Sequence, residues 1–142
     1  VSERVQATVT ALYGTLRTLP VKGFDLAMVP TAAPRLFGTP LPRVLLKMVE
    51  VADAPAVQEA WVNAARAKVH AGKSPVFVLL AARRIGPAGE LARAVESLQR
   101  QPRAADGPAE VAVAVIDSAD WSARLPPSAS PALHKLVDAL RG

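Results

Sequence analysis

The feature that most constrains the fold is a nearly unbroken apolar run in the middle of the chain, Pro75 to Ala82 (PVFVLLAA). A strand with one face in water alternates polar and apolar residues, whereas a run without alternation indicates a strand covered on both faces. Helical patterns lie on either side of this run. The sequence therefore predicts an α/β fold with this strand near the centre of the sheet.

The other elements follow from hydrophobic periodicity and from the positions of Gly and Pro. Helices are expected over residues 5–19, 53–71, 86–98 and 133–140, and strands over residues 24–30, 43–52, 75–82 and 110–117. The order is α-β-β-α-β-α-β-α. The first two strands are joined by a short proline-rich loop, residues 31–42, so they should be antiparallel. We expect a single α/β domain over residues 1–142, with a mixed, mostly parallel sheet of about four strands and helices on both faces.

Composition narrows the class of protein. The chain of 142 residues suits one domain and contains no cysteine, which excludes disulfides, thiolate zinc sites and a cysteine nucleophile. No apolar run approaches the roughly 20 residues that span a membrane. We expect a protein of the cytoplasm or another reducing compartment, although the first residue, Val1, leaves a cleaved leader open.

The charge balance permits an anionic partner. The net charge is +5 and most of the positive charge comes from arginine. A nucleic acid would suit such a surface, and a protein partner could dock on the proline-rich loops, residues 30–42 and 122–131. A GC-rich genome produces the same composition without functional meaning, so these interpretations stay open. The oligomeric state is not predicted.

Two carboxylates stand out because each lies in an otherwise apolar strand. Asp25 is near the start of the first predicted strand and Glu50 is near the end of the second. A carboxylate is costly to bury unless it is paired or binds a metal. Two carboxylates on neighbouring strands could bind a divalent ion such as Mg²⁺, with water and a substrate phosphate as further ligands. The alternative is that both charges face water at strand ends.

These stretches resemble the restriction-endonuclease-like family, the PD-(D/E)xK nuclease superfamily. The matching segments are residues 23–30 (GFDLAMVP) and 45–52 (LLKMVEVA), and the similarity extends over about residues 2–82. The resemblance implies a helix before a sheet, an Asp near the start of one strand, a Glu on the next, and then a helix and another strand. It also implies Mg²⁺-dependent DNA cleavage in which Asp25 and Glu50 are catalytic and bind the metal.

The chain departs from the family pattern at several positions. The family's catalytic lysine stands two residues after the glutamate, and here that residue is Ala52. Lys47 precedes Glu50 by three residues, so in a regular strand it would point to the opposite face. The family also carries a strand between its first helix and the Asp strand, and residues 20–23 are too few for one. These departures predict a degenerate nuclease-like core with a weakened or absent active site.

Clustered cations form a second candidate site. Lys68 and Lys73, with Arg66 and His70, crowd the end of the second predicted helix, where they could bind phosphate or compensate the helix dipole. Arg83 and Arg84 follow the central strand directly and precede a helix start. Because ligands of open α/β sheets lie at the carboxyl ends of strands, these arginines are candidate anion-binding residues.

A last carboxylate pair, Asp117 and Asp120, follows the final predicted strand together with Trp121. It could bind a metal ion, or it could belong to a polar loop with one packing tryptophan.

Three functions are compatible with these patterns. The first is a non-catalytic or weakly catalytic interaction domain, in the form of a degenerate nuclease-like domain that acts near DNA. The second is an active Mg²⁺-dependent nuclease that uses Asp25 and Glu50. The third is a basic nucleic-acid-binding or scaffold subunit of a larger complex. The sequence leaves open whether the chain is an enzyme.

Overall fold

The central apolar run forms the middle of a mixed sheet. A computed structural model describes residues 1–31, 41–69, 74–99, 111–125 and 130–142, and within them it contains four helices and six strands. In chain order the elements are α1 (Ser2–Tyr13), β1 (Leu16–Leu19), β2 (Leu26–Pro30), β3 (Arg43–Ala52), α2 (Ala54–Lys68), β4 (Val76–Ile85), α3 (Ala88–Gln99), β5 (Val111–Asp117), β6 (Ala123–Arg124) and α4 (Pro131–Arg141).

The sheet is larger and less parallel than the sequence predicted. Its strand order follows the chain, β1-β2-β3-β4-β5-β6. The β3–β4 and β4–β5 pairs are parallel, whereas β1–β2, β2–β3 and β5–β6 are antiparallel. The α/β class, the mixed sheet and the antiparallel arrangement of the two strands around residues 31–42 are confirmed. The expectation of about four mostly parallel strands is wrong, because two short strands extend the sheet at its edges.

The strand β1 corrects the predicted first helix. The three-and-four spacing of apolar residues continues to Leu19, but the helix ends at Tyr13 because Gly14 adopts a φ of 84°. Such a conformation is incompatible with a continuing right-handed helix and is accessible to glycine. The next residues include Thr15 and Thr18, whose branched side chains favour strands. Leu16–Leu19 form β1, which pairs with β2 along its whole length.

The second unpredicted strand, β6, lies in a region that the sequence indicated to be irregular. It is only two residues long, Ala123–Arg124, and pairs with the end of β5 after a tight turn. A strand this short carries no readable periodicity, so only its partner strand reveals it.

Helices cover both faces of the sheet, as predicted. We call the core beneath α2 and α3 the first core and the core beneath α1 and α4 the second core. Along β4 the side chains alternate between them: Val78 and Leu80 belong to the first core, and Phe77 and Leu79 to the second. This double coverage is why β4 is apolar at successive positions rather than at alternate ones.

Local signals account for α2, one of the two helices that cover the first core. The Asp53 carboxylate accepts the backbone N–H of Ala56 at 3.0 Å, which caps α2, and Pro55 lies in its first turn. Val57, Ala60 and Ala64 then face the sheet. The predicted stop at Gly72 lies outside the described residues. None of the helices that the structure describes is long and apolar enough to cross a membrane.

Candidate functional site

Asp25 lies directly before β2, where β2 meets β3. Its backbone N–H donates to the carbonyl oxygen of Leu46 at 2.9 Å, and its Oδ2 accepts the backbone N–H of Met48 at 2.7 Å. The carboxylate therefore takes the place of a main-chain acceptor and extends the pairing of the two strands by one step. Because a hydrogen bond to an ionised acceptor is stronger than a neutral one, this contact gives Asp25 a structural role.

Glu50 faces the neighbouring strand on the other side. Val49 lies opposite Ala82 and Val51 opposite Arg84, which sets Glu50 opposite Arg83 on β4. The Arg83 Nε lies 3.8 Å from the Glu50 Oε2, and the two side chains are 79% and 61% exposed. An ion pair this exposed contributes little to stability, but it ties a candidate metal ligand to a candidate anion-binding residue.

Position 52, where the resemblance places the family's catalytic lysine, has no room for a lysine side chain. Ala52 is fully buried in the first core, and its carbonyl oxygen accepts the backbone N–H of Gly86 at 2.8 Å. A methyl group fits there, whereas an ammonium group would have to be buried or displace its neighbours. Lys47 does not take the place of the missing lysine beside Glu50. Val49 packs towards the first core, so the alternation of side chains along β3 sets Lys47 on that face and Glu50 on the opposite face.

Asp25 and Glu50, the two carboxylates of the Mg²⁺ site that the resemblance implies, each have a protein partner. The Asp25 carboxylate binds the main chain of β3 from the β2 side, while Glu50 extends towards β4. The two carboxylates therefore have different partners on the two sides of β3. Metal binding by Asp25 and Glu50 stays a prediction.

The cations at the end of α2 lie near the start of β3. Burial, together with the positive charge of Arg43, lowers the pKa of the Lys68 ammonium group from its ordinary value. Arg66 is exposed in the last turn of α2, where a cation also complements the helix dipole. Lys73 and His70 lie outside the described residues. Arg84 is exposed near the opposite end of β4.

A pocket of about 400 Å³ lies at this end of the sheet, beside α2. Its floor is the sheet face of the first strands, and its walls are the β1–β2 connection and the last turns of α2. The apolar residues that line it come from four strands, that connection and α2: Leu19, Pro20, Val21, Ala27, Val29, Leu45, Ala67 and Val76.

Three cations line the same pocket. Lys22 comes from the β1–β2 connection, Arg43 from the start of β3 and Arg66 from α2, with Asn63 one turn earlier on α2. Among the described residues that line it, no side chain is acidic. The pocket therefore combines an apolar floor with a positive wall, which is the arrangement that would attract a partly apolar anion.

The carboxylates of Asp117, the last residue of β5, and of Asp120 accept hydrogen bonds within the tight turn that follows β5. The Asp117 Oδ1 accepts the backbone N–H of Ala119 and the Asp120 Oδ1 accepts that of Ser122, both at 2.9 Å. Trp121 packs against the second core. These contacts favour the polar-loop interpretation. Within the described part of the chain, no group of three or more His, Asp or Glu side chains could hold a metal ion.

Comparison with known proteins identifies no relative. No family model matches the chain, and neither a curated protein nor a solved structure is significantly similar to it. The functional argument therefore depends on the geometry of the chain itself.

The sequence did not indicate the pocket. Arg66 was noted as part of a cation cluster, but Lys22 and Arg43 stand alone in the sequence, separated by the proline-rich loop. They meet because β1, β2 and β3 pair in order, which brings the β1–β2 connection beside α2. A lone cation at the end of a strand carries no signal of this kind.

Proposed function

We propose that this chain is a non-catalytic interaction domain with a degenerate nuclease-like core, and that it associates with DNA through its basic surface. The observation that carries the non-catalytic part is the contact of Asp25. Its carboxylate accepts the Met48 N–H at 2.7 Å, so the residue that the resemblance makes a metal ligand serves as an acceptor for the sheet. The buried methyl group of Ala52 supports the same conclusion, because a catalytic lysine has no place there.

The element order supports the nuclease-like core. The family pattern has a strand before the Asp strand, and β1 corresponds to it. A helix, three strands in antiparallel pairs, a helix and a parallel strand therefore follow one another. Asp25 directly precedes the middle one of the three, β2. This is the arrangement that the resemblance implies, although no solved structure is significantly similar to the chain.

Charge supports DNA as the partner. The net charge is +5, and exposed arginines that include Arg84 lie beside the helix start that follows β4. Phosphate contacts by arginine release counterions, so the logarithm of an association constant that depends on such contacts falls linearly with the logarithm of salt concentration.

The test is a pair of assays on the same protein. Fluorescence anisotropy with a labelled DNA duplex, at several NaCl concentrations, measures binding, and gel analysis with Mg²⁺ or Mn²⁺ measures cleavage. We expect salt-dependent binding and no cleavage. Arg84→Gln should weaken DNA binding more than Arg124→Gln, a charge-matched change of an exposed arginine on the far edge strand. Asp25→Ala should lower stability by about 1 kcal/mol through loss of the Met48 contact and leave DNA affinity unchanged.

Two results would contradict the proposal. Cleavage that requires a divalent metal and disappears in both Asp25→Asn and Glu50→Gln would make the chain an active nuclease. Absence of duplex binding at low salt would exclude DNA as the partner.

A further inference from the structure

The basic pocket beside α2 is separate from the arginine surface of the proposed DNA contact. Glu50 and Arg84 lie towards the carboxyl ends of β3 and β4, whereas Arg43 and Val76 begin those strands and line the pocket. From Val76 to Arg84 the chain advances eight strand positions, roughly 26 Å at the rise of a β-strand. A ligand in the pocket would therefore not contact Glu50 or Arg84.

The floor of the pocket is preformed. Ala27, Leu45 and Val76 are at most 3% exposed, and they are held by strand pairing on β2, β3 and β4. The backbone N–H of Arg43 donates to the carbonyl oxygen of Pro75 at 2.9 Å, which fixes the point from which the Arg43 side chain extends. A site on paired strands changes little when a ligand enters, so little ordering free energy opposes binding.

Gly23 allows the β1–β2 connection, which forms one wall of the pocket, to lie close to Asn63 of α2. Gly23 has a φ of 91°, and a Cβ at this position would come within 2.6 Å of the Asn63 side-chain nitrogen. The absence of a side chain lets the β1–β2 connection approach α2, and Lys22 is the residue before it. This approach brings Lys22 to the same pocket as Arg66.

The chemistry of the lining selects the ligand. A pocket of about 400 Å³ is within the size range of small-molecule sites, roughly 300–1,000 Å³. The apolar floor would bind a hydrocarbon or ring, and it offers nothing to a fully hydrated ion. The cations Lys22, Arg43 and Arg66 favour a negative group. Arg43 is half-buried, and it gains more from an anion than from water when the rest of the ligand excludes solvent.

We propose that this pocket binds a small amphipathic anion, with one carboxylate, phosphate or sulfonate group at Arg43, Arg66 and Lys22 and an apolar body on the sheet face. The proposal does not depend on DNA binding.

The experiment uses anilinonaphthalene sulfonate, an amphipathic anion whose fluorescence rises in an apolar site. Saturable binding to the folded chain is expected, and octanoate or octyl phosphate should displace the probe. Octyl glucoside has the same tail without a charge, and inorganic phosphate has a charge without a tail, so neither should compete at the same concentration. The relative strength of octanoate and octyl phosphate identifies the preferred negative group.

Two kinds of variant locate the bound probe. Arg43→Gln combined with Arg66→Gln should weaken probe binding about tenfold, a change of the size expected for the loss of charged contacts. Ala67→Leu narrows the pocket with a residue that favours helix, and it should also weaken binding. Arg84→Gln combined with Arg124→Gln, and Ala92→Leu, are the matched controls, because these exposed positions do not line the pocket. Circular dichroism and thermal unfolding establish that each variant is folded.

The proposal is overturned if the arginine variants and Ala67→Leu bind the probe as tightly as their controls do. It is also overturned if inorganic phosphate competes as well as octanoate, since the site would then recognise charge alone. Arg84→Gln should reduce DNA affinity and leave probe binding intact. A negative result in the DNA-binding assay is therefore distinguishable from a negative result in the probe-binding assay.

Discussion

At the scale of single residues, the turn after β5 depends on a strained tryptophan. Trp121 has a φ of 61°, a left-handed conformation that costs a residue with a Cβ about 1–2 kcal/mol. Its backbone N–H donates to the Asp117 carbonyl oxygen at 2.8 Å, and its ring packs against the second core and beneath the Arg4 guanidinium at 4.6 Å. These contacts offset the strain and keep Trp121 in the turn.

The same turn predicts a pH dependence. Hydrogen bonds from the backbone N–H and the hydroxyl of Ser122 lower the pKa of Asp120 below its ordinary value of 3.8. A carboxylate whose folded pKa is depressed stabilises the protein above its unfolded pKa, and this contribution disappears as the pH falls through the folded pKa. Asp120→Asn should therefore be less stable than the wild type at pH 7, and the difference should become smaller at about pH 2, because the contribution is lost as the pH falls below 3.8 and through the folded pKa. Urea denaturation at both pH values measures the difference.

A stability difference that is the same at both pH values would contradict this prediction. It would mean that the variant alters the shape of the turn rather than its charge. Asp120→Ala, which removes both the charge and the acceptor, should be less stable than Asp120→Asn at low pH.

At the scale of elements, one arginine joins the first and last helices. The Arg4 Nε and Nη2 donate to the carbonyl oxygen of Leu140 at 2.9 and 2.6 Å. This carbonyl belongs to the last turn of α4, where the backbone oxygens have no partner within the helix. Because Arg4 also stacks on Trp121, it connects α1, α4 and the β5–β6 turn.

We expect Arg4→Lys to destabilise the protein although it keeps the charge. Lysine cannot reproduce the two-pronged contact or stack as a plane, so the loss should be about 1–2 kcal/mol in the free energy of unfolding. Chemical denaturation measures it, with Arg17→Lys, an exposed change on β1, as the control. Equal losses in the two variants would show that the Leu140 and Trp121 contacts do not carry the effect.

At the scale of the whole molecule, the two cores share one sheet. Leu79 and Leu80 are consecutive on β4, both are fully buried, and they belong to opposite cores. Loss of either core removes the cover from one face of the same strands. The two layers should therefore unfold together.

This expectation can be measured with the two tryptophans of the chain. Trp61 packs against the first core and Trp121 against the second. Leu79→Ala and Leu80→Ala should each cost about 2–5 kcal/mol. In Trp61→Phe and Trp121→Phe backgrounds, fluorescence and circular dichroism should follow a single transition. Separate midpoints for the two tryptophans would show that the faces unfold independently.

Much of the fold could be predicted because its signals are local. The apolar run of β4 and the Asp53 cap of α2 each depend on neighbouring residues, and both are confirmed. The antiparallel β2–β3 pair follows from a connection too short for a crossover. The candidate site was less predictable: the sequence indicated Asp25 and Glu50, but not that Met48 and Arg83 would be their partners.

The sequence by itself determined the α/β class, the central strand and the placement of helices on both faces, since periodicity and capping act within a few residues. Only the tertiary structure decided that Leu16–Leu19 is a strand, because the same spacing of leucines suits a helix until β2 offers a partner. The tertiary structure also decided that Lys22, Arg43 and Arg66 line one pocket. These cations are distant in the chain, and the pairing of β1, β2 and β3 beside α2 brings them to one apolar floor.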